Sequence, residues 1–178
     1  AVITNDENII SFVKDARLLG VEKDTEKRYE GQRSWDFDVK HQGYRYHMSN
    51  IFAAIGREQL KKINSIEKKR KEIVNYYLEN LKNIPQIQTL DFDFKSIISH
   101  IFVVKTTKRD QLREFLLSKN IECGIHYKPN HLLTKYKSDA LPITEKIYEE
   151  ILTLPCQLDL VKEEQDFVVN SIKEFFNA

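Results

Sequence analysis

The chain has 178 residues, 41% of them hydrophobic, enough to bury a core of one ordinary domain or slightly more. Lysine plus arginine number 28 against 27 aspartate plus glutamate, so no global field gathers nucleic acid or an anionic membrane, and partners must be sought locally. No apolar run approaches the roughly 18 residues that span a bilayer, and Cys123 and Cys156 stand far apart outside any CxxC pair, which argues against a disulfide framework or zinc site and suits the cytoplasm.

AVITNDENI opens on a short apolar run with no initiating methionine, as an interior strand of a longer chain would. Residues 1–4 are expected to form that strand. Asn5 or Asp6 should cap a helix reaching about residue 19, since Ile9, Ile10, Val13, Ala16 and Leu19 recur at near-helical spacing and Gly20 is a natural stop. Residues 21–42 are charged and aperiodic, which predicts a long functional or disordered loop. Ile51, Ala54, Ile55, Leu60, Ile63, Ile66, Ile73, Tyr77 and Leu81 then form one stripe, predicting a single long helix over 49–83 before Pro85, with Gly56 open to a close backbone approach.

The second half alternates between strand and helix signals. A buried strand is expected over 97–106, an amphipathic helix over 109–119 and a second strand over 121–127. A short helix should run over 142–152 with Pro142 in its first turn. A terminal helix over 162–176 presents Phe167, Val168, Ile172, Phe175 and Phe176. The order is mixed α and β without repeats or a linker-type boundary.

Chemistry-bearing motifs are few: no Gly-rich phosphate loop, GxSxG, HExxH or paired-cysteine site occurs. His126 and His131 lack the i, i+4 spacing that puts two metal ligands on one helix face, and no metal is expected. The KKRK run at 68–71, flanked by Glu67 and Glu72, reads as a solvated helix face. Two stretches stand above this background, GYRYHMSNIFAAIG at 43–56 and GIHYKPNHLLTKY at 124–136. Each combines backbone punctuation with hydrogen-bonding aromatics, which suits a fixed surface loop touching a ligand.

TND at 4–6, GYRYHMSNIFAAIG followed by Gln59 and Leu60, GIHYKPNHL, and LPCQLDL before a terminal helix together resemble the DegT/StrS family of sugar aminotransferases, in this order along essentially the whole chain. The resemblance implies the C-terminal portion of a fold-type I pyridoxal-phosphate enzyme of α/β class. Its small domain, α+β in character, would be a mainly antiparallel sheet covered by helices. Residues 1–48 would close the large cofactor-binding domain and form an inter-subunit loop, and 49–178 would be the connecting helix and small domain. The Schiff-base lysine, the aspartate facing the pyridine nitrogen and the ring-stacking aromatic of the family all lie upstream of the matched motifs. The resemblance therefore implies a chain inactive alone, with no catalytic residue of its own.

In the family the GYNYRM-like segment reaches from one subunit of a homodimer towards its neighbour's cofactor phosphate and substrate. Arg45 stands here at the asparagine position, where its forked donor suits the cofactor phosphate. His47 replaces the family's arginine as a substrate contact. The segment GIHYKPNHL matches the family's GIxxxxHYxPxH, which implies that His126, Tyr127 and His131 contact substrate, Pro129 stiffening the loop. Val161 stands where relatives place a capping hydroxyl, leaving Asp159 as the expected cap of the last helix. The implied reaction transfers an amino group from an amino acid, glutamate, to a nucleotide-linked keto-deoxysugar. Two other readings fit the residues: a sugar dehydratase using the same cofactor, and a non-catalytic interaction module derived from the small domain.

Overall fold

The computed structural model describes residues 2–21 and 38–177, which divide into two compact units, Ala1–Lys61 and Lys62–Ala178. Most of the expected 21–42 loop lies outside the described residues.

In the first unit, helix α1 spans Glu7–Ala16. Asp6 caps it, its carboxylate accepting from the backbone N–H groups of Asn8 (2.8 Å) and Ile9 (3.4 Å), two of the donors a helix start leaves unpaired. The helix stops three residues earlier than its pattern predicts, because the chain turns left-handed at Leu19 and Gly20 (φ 68° and 77°). Val2, Ile3 and Thr4 pair with no strand among the described residues, and Ile3 is 98% exposed. The strand expected there does not form, since a short extended segment without a partner ladder has nowhere to place its backbone bonds. Ala1 lies outside the described residues.

The helix expected as one piece over 49–83 is two, α2 at Asn50–Lys61 and α3 at Ile63–Leu81. The interruption is Lys62, whose φ of −93° and ψ of −1° depart from helical values. No proline or glycine marks the site. Ser49 starts α2 by accepting the Phe52 N–H on its hydroxyl (3.3 Å) and the Ala53 N–H on its carbonyl (2.9 Å).

The second unit is built on a three-stranded antiparallel sheet in the order β1 (Gln88–Thr89), β2 (Phe102–Lys105), β3 (Ile151–Leu154). Phe102 pairs with Leu154 and Lys105 with Ile151. In β2 the period of two buries Phe102 and Val104 completely while Val103 and Lys105 stay half-exposed. Helices α3, α4 (Arg109–Ser118) and α6 (Lys162–Phe176) supply the rest of the core, through Ile73, Tyr77 and Leu81, Leu112 and Leu116, and Val169 and Ile172. Tyr77 stacks on Phe102 with ring centres 5.1 Å apart and donates its hydroxyl to the Pro155 carbonyl (2.9 Å). Helix α5 (Pro142–Glu150), with Pro142 in its first turn as expected, runs without a connecting loop into β3.

Four details differ from expectation. The strand read over 97–106 begins only at Phe102, because the next bonded step of this register, 100 with 156, is replaced by a side chain: Arg70 takes the carbonyls of both His100 and Cys156. The strand read over 121–127 is a single bridge, Gly124 to Thr153, with both backbone bonds made (3.1 and 2.8 Å). The last two residues of the helix expected over 142–152 instead open β3. At the start of α6, Val161 occupies the capping position and Glu164 accepts the Val161 N–H (3.0 Å). This is the carboxylate half of a capping box, and the cap assigned to Asp159 is not observed.

Candidate functional site

Residues 43–46 are held by backbone bonds to the end of α1. Tyr44 N–H donates to the Ala16 carbonyl (2.6 Å), Leu19 N–H to the Tyr44 carbonyl (3.0 Å) and Tyr46 N–H to the Arg17 carbonyl (3.0 Å), with Arg45 bridged to Leu18. Gly43 makes this approach possible, since a Cβ there would collide with the backbone of Leu19 and Gly20. Tyr44 and Tyr46 stack, ring centres 5.5 Å apart and planes 8° from parallel. With side chains alternating along an extended segment, the two tyrosines share one face and Arg45 takes the other. Arg45 and His47 are both exposed, so a backbone-anchored guanidinium stands ready for an external anion.

The second stretch is built around β3. The His126 ring folds back over Gly124, where any Cβ would collide with the imidazole, and its Nδ1 lies 2.9 Å from the Thr153 hydroxyl. Tyr127 stands edge-on to His126 (centres 4.8 Å apart, 81°) and is 69% exposed. His126 lines a cleft of about 290 Å³ together with Arg70, His100, Glu122, Thr153 and Gln157, among others. This lining mixes fixed donors and acceptors, the composition that orients a polyhydroxylated ligand.

His131 is placed differently. It is 8% exposed and its Nε2 lies 3.0 Å from a Glu145 carboxylate oxygen that also accepts the Leu141 N–H (2.9 Å). These two bonds hold the Glu145 carboxyl below the usual carboxylate range, the backbone bond from Leu141 contributing most. The ring pins residues 130–136 to α5. His126 thus lines the cleft with Tyr127 against the edge of its ring, while His131 faces Glu145.

Reading the sequence missed Arg70. The KKRK run is not simply a solvated face: Arg70 Nη1 donates to the carbonyls of His100 (3.0 Å) and Cys156, and Lys71 donates to the Lys95 carbonyl (2.6 Å) and pairs with Glu67. The signal lay in the periodicity. Arg70 falls on the stripe Ile66, Ile73, Tyr77, Leu81, where a buried contact is expected and a charge must find partners.

Neither this cleft nor a smaller one of about 200 Å³ beside Arg113 and Cys123 is lined by a lysine. Lys162, close over the Tyr76 ring and paired with Asp166, is held protonated above its ordinary range by those two partners against the opposing effect of burial. Arg45, exposed and charged, has the chemistry to meet a phosphate, and among the described residues neither cleft offers a lysine amine to an aldehyde.

The model of the DegT/DnrJ/EryC1/StrS aminotransferase family matches residues 1–173. Curated relatives include a UDP-4-amino-4,6-dideoxy-N-acetyl-β-L-altrosamine transaminase of Campylobacter jejuni, 28% identical over 97% of this chain and 46% of its own. Another is a dTDP-3-amino-3,6-dideoxy-α-D-galactopyranose transaminase of Aneurinibacillus thermoaerophilus, 27% identical over 98% of this chain and 46% of its own. Among solved structures, PseC of Helicobacter pylori, an aminotransferase of pseudaminic acid biosynthesis, shares the fold with a TM-score of 0.83 at 24% identity, over 98% of this chain and 47% of that one. The chain spans about half the length of the curated relatives it matches.

Proposed function

The chain belongs to the DegT/DnrJ/EryC1/StrS aminotransferase family, and from that premise we propose that it supplies the C-terminal portion of an enzyme moving an amino group from glutamate to a nucleotide-linked keto-deoxysugar. In this reading residues 1–48 end the large domain and form an inter-subunit loop, and 49–178 form the connecting and small domain of a homodimer working in the cytoplasm. The UDP- and dTDP-linked amino sugars in the relatives' names support a nucleotide-linked substrate. Pyridoxal phosphate, when bound, supplies the electron sink that amino-group exchange requires.

This chain's own part is binding and orientation. Arg45, fixed through its backbone to residues 16–19, meets the cofactor phosphate of the neighbouring subunit with a forked, permanently charged donor. His47 follows it on the substrate side. The imidazole of His126, held by Thr153, and the hydroxyl of exposed Tyr127 donate to and accept from sugar hydroxyls. His131 serves that wall indirectly by fixing the loop on Glu145. The observation that carries the reading is the His126 cleft, a polar wall on a rigid sheet edge with no lysine in it.

The test is Arg45→Ala in the complete enzyme. Loss of one charge-assisted phosphate contact predicts a cofactor Kd raised about tenfold or more. An unchanged Kd removes Arg45 from the phosphate.

A further inference from the structure

We propose that Arg70 is a positioning residue for the His126 wall: by bridging two strand-exit carbonyls it holds the cleft open and keeps the His126 ring in one orientation. The proposal rests on the reading of His126 as a substrate contact.

Extending the observed pairing of Phe102 with Leu154 sets position 101 opposite 155 and 100 opposite 156. In this ladder alternate pairs carry the bonds, as Thr106 N–H donating to the Glu150 carbonyl shows, so the next rung would join 100 and 156, and among the described residues it is not made. Two carbonyls, of His100 just before β2 and Cys156 just after β3, are left side by side without a backbone donor between them. Arg70 Nη1 donates to both. A guanidinium on the neighbouring helix thus replaces the missing rung, and because it is wider than a ladder bond it holds the strand ends apart where the cleft lies.

The same strand carries the functional side chain. Thr153 lies one residue before the last rung, pairs by its backbone with Gly124 and binds the His126 ring by its hydroxyl. Arg70, His100, Gly124, His126, Thr153 and Cys156 all line the one cleft. A shift of the β3 exit is therefore transmitted through Thr153 to the imidazole. Removing the guanidinium would leave two carbonyls to find water or each other's strand, and either closes the space that the ring faces.

The experiment uses the 178-residue chain labelled with 15N-histidine. Above the histidine titration range, the wild-type His126 ring should show a single tautomer, set by its bond to Thr153. Arg70→Ala, with helix content retained by circular dichroism, is expected to lose that single-tautomer signature, as is Thr153→Val. A merely structural role of Arg70 would lower Tm and leave the ring spectrum as it was. A folded Arg70→Ala chain with an unchanged His126 signature overturns the proposal. Should Arg70→Ala not fold, Arg70→Lys, which keeps the charge and the stem but not the planar fork, is judged by the same criterion. The spectrum needs no ligand, so it tests Arg70 alone. Binding of UDP-N-acetylglucosamine to the complete enzyme, compared with its His126→Ala variant, tests the substrate reading separately.

Discussion

At the scale of single residues, titratable groups report on the loop that carries the candidate site. The Glu145 carboxyl is held low by the Leu141 N–H and by His131. A depressed acid contributes stability that is complete above its ordinary range and is lost as the pH falls through its lowered value. Protection of the Leu141 amide, measured against its intrinsic exchange rate, should therefore persist through neutrality and be lost only at pH below the ordinary carboxylate range, and Glu145→Gln should abolish that acid-side step. The two thiols make the opposite case. Burial pushes Cys123 up to about 12, and it also raises Cys156 against the opposing pull of the Arg70 guanidinium. Thiolate is the reactive form. At pH 8 the folded chain should resist iodoacetamide at both positions while the denatured chain is labelled at both, as intact-mass spectrometry will show.

At the scale of elements, the boundaries that chemistry marks were legible and those that tertiary pairing imposes were not. Asp6, Pro142 and the apolar face of α6 announced their helices in the sequence, and each begins within a residue or two of its signal. Strand β3 was hidden because all four of its residues are buried, which erases the alternation that identifies a half-exposed strand. The start of β2 falls where Arg70, on a distant helix, takes the His100 and Cys156 carbonyls, information that no local window holds. The break at Lys62 has no local mark, and helix α2 keeps Ile51 and Leu60 74% and 69% exposed, although their stripe reads as continuous with that of α3. Of the candidate site, His126 and Tyr127 were visible as a motif, whereas Arg70 was read as part of a charge run. Two substitutions probe the elements. Leu112→Ala, at a fully buried position, should cost roughly 3 kcal/mol in chemical denaturation. Glu164→Ala, removing the only cap observed at the start of α6, should cost about 0.5–1 kcal/mol.

At the scale of the whole molecule, the core belongs to the unit Lys62–Ala178. A chain of residues 62–178 should therefore melt cooperatively at nearly the Tm of the complete 178 residues. The chain covers less than half of each relative named above, and it offers a polar wall and a backbone-anchored arginine without a lysine in either cleft. In the proposed reading these residues bind and orient, and the amine that holds the cofactor is not one of this chain's lysines. The most direct measurement incubates the 178-residue chain with pyridoxal phosphate, reduces with borohydride and maps the product by mass spectrometry, alongside an assay with glutamate and a nucleotide-linked keto-sugar. The account predicts no lysine modified to stoichiometry and no turnover. Stoichiometric attachment at one lysine together with amination of the sugar would contradict it.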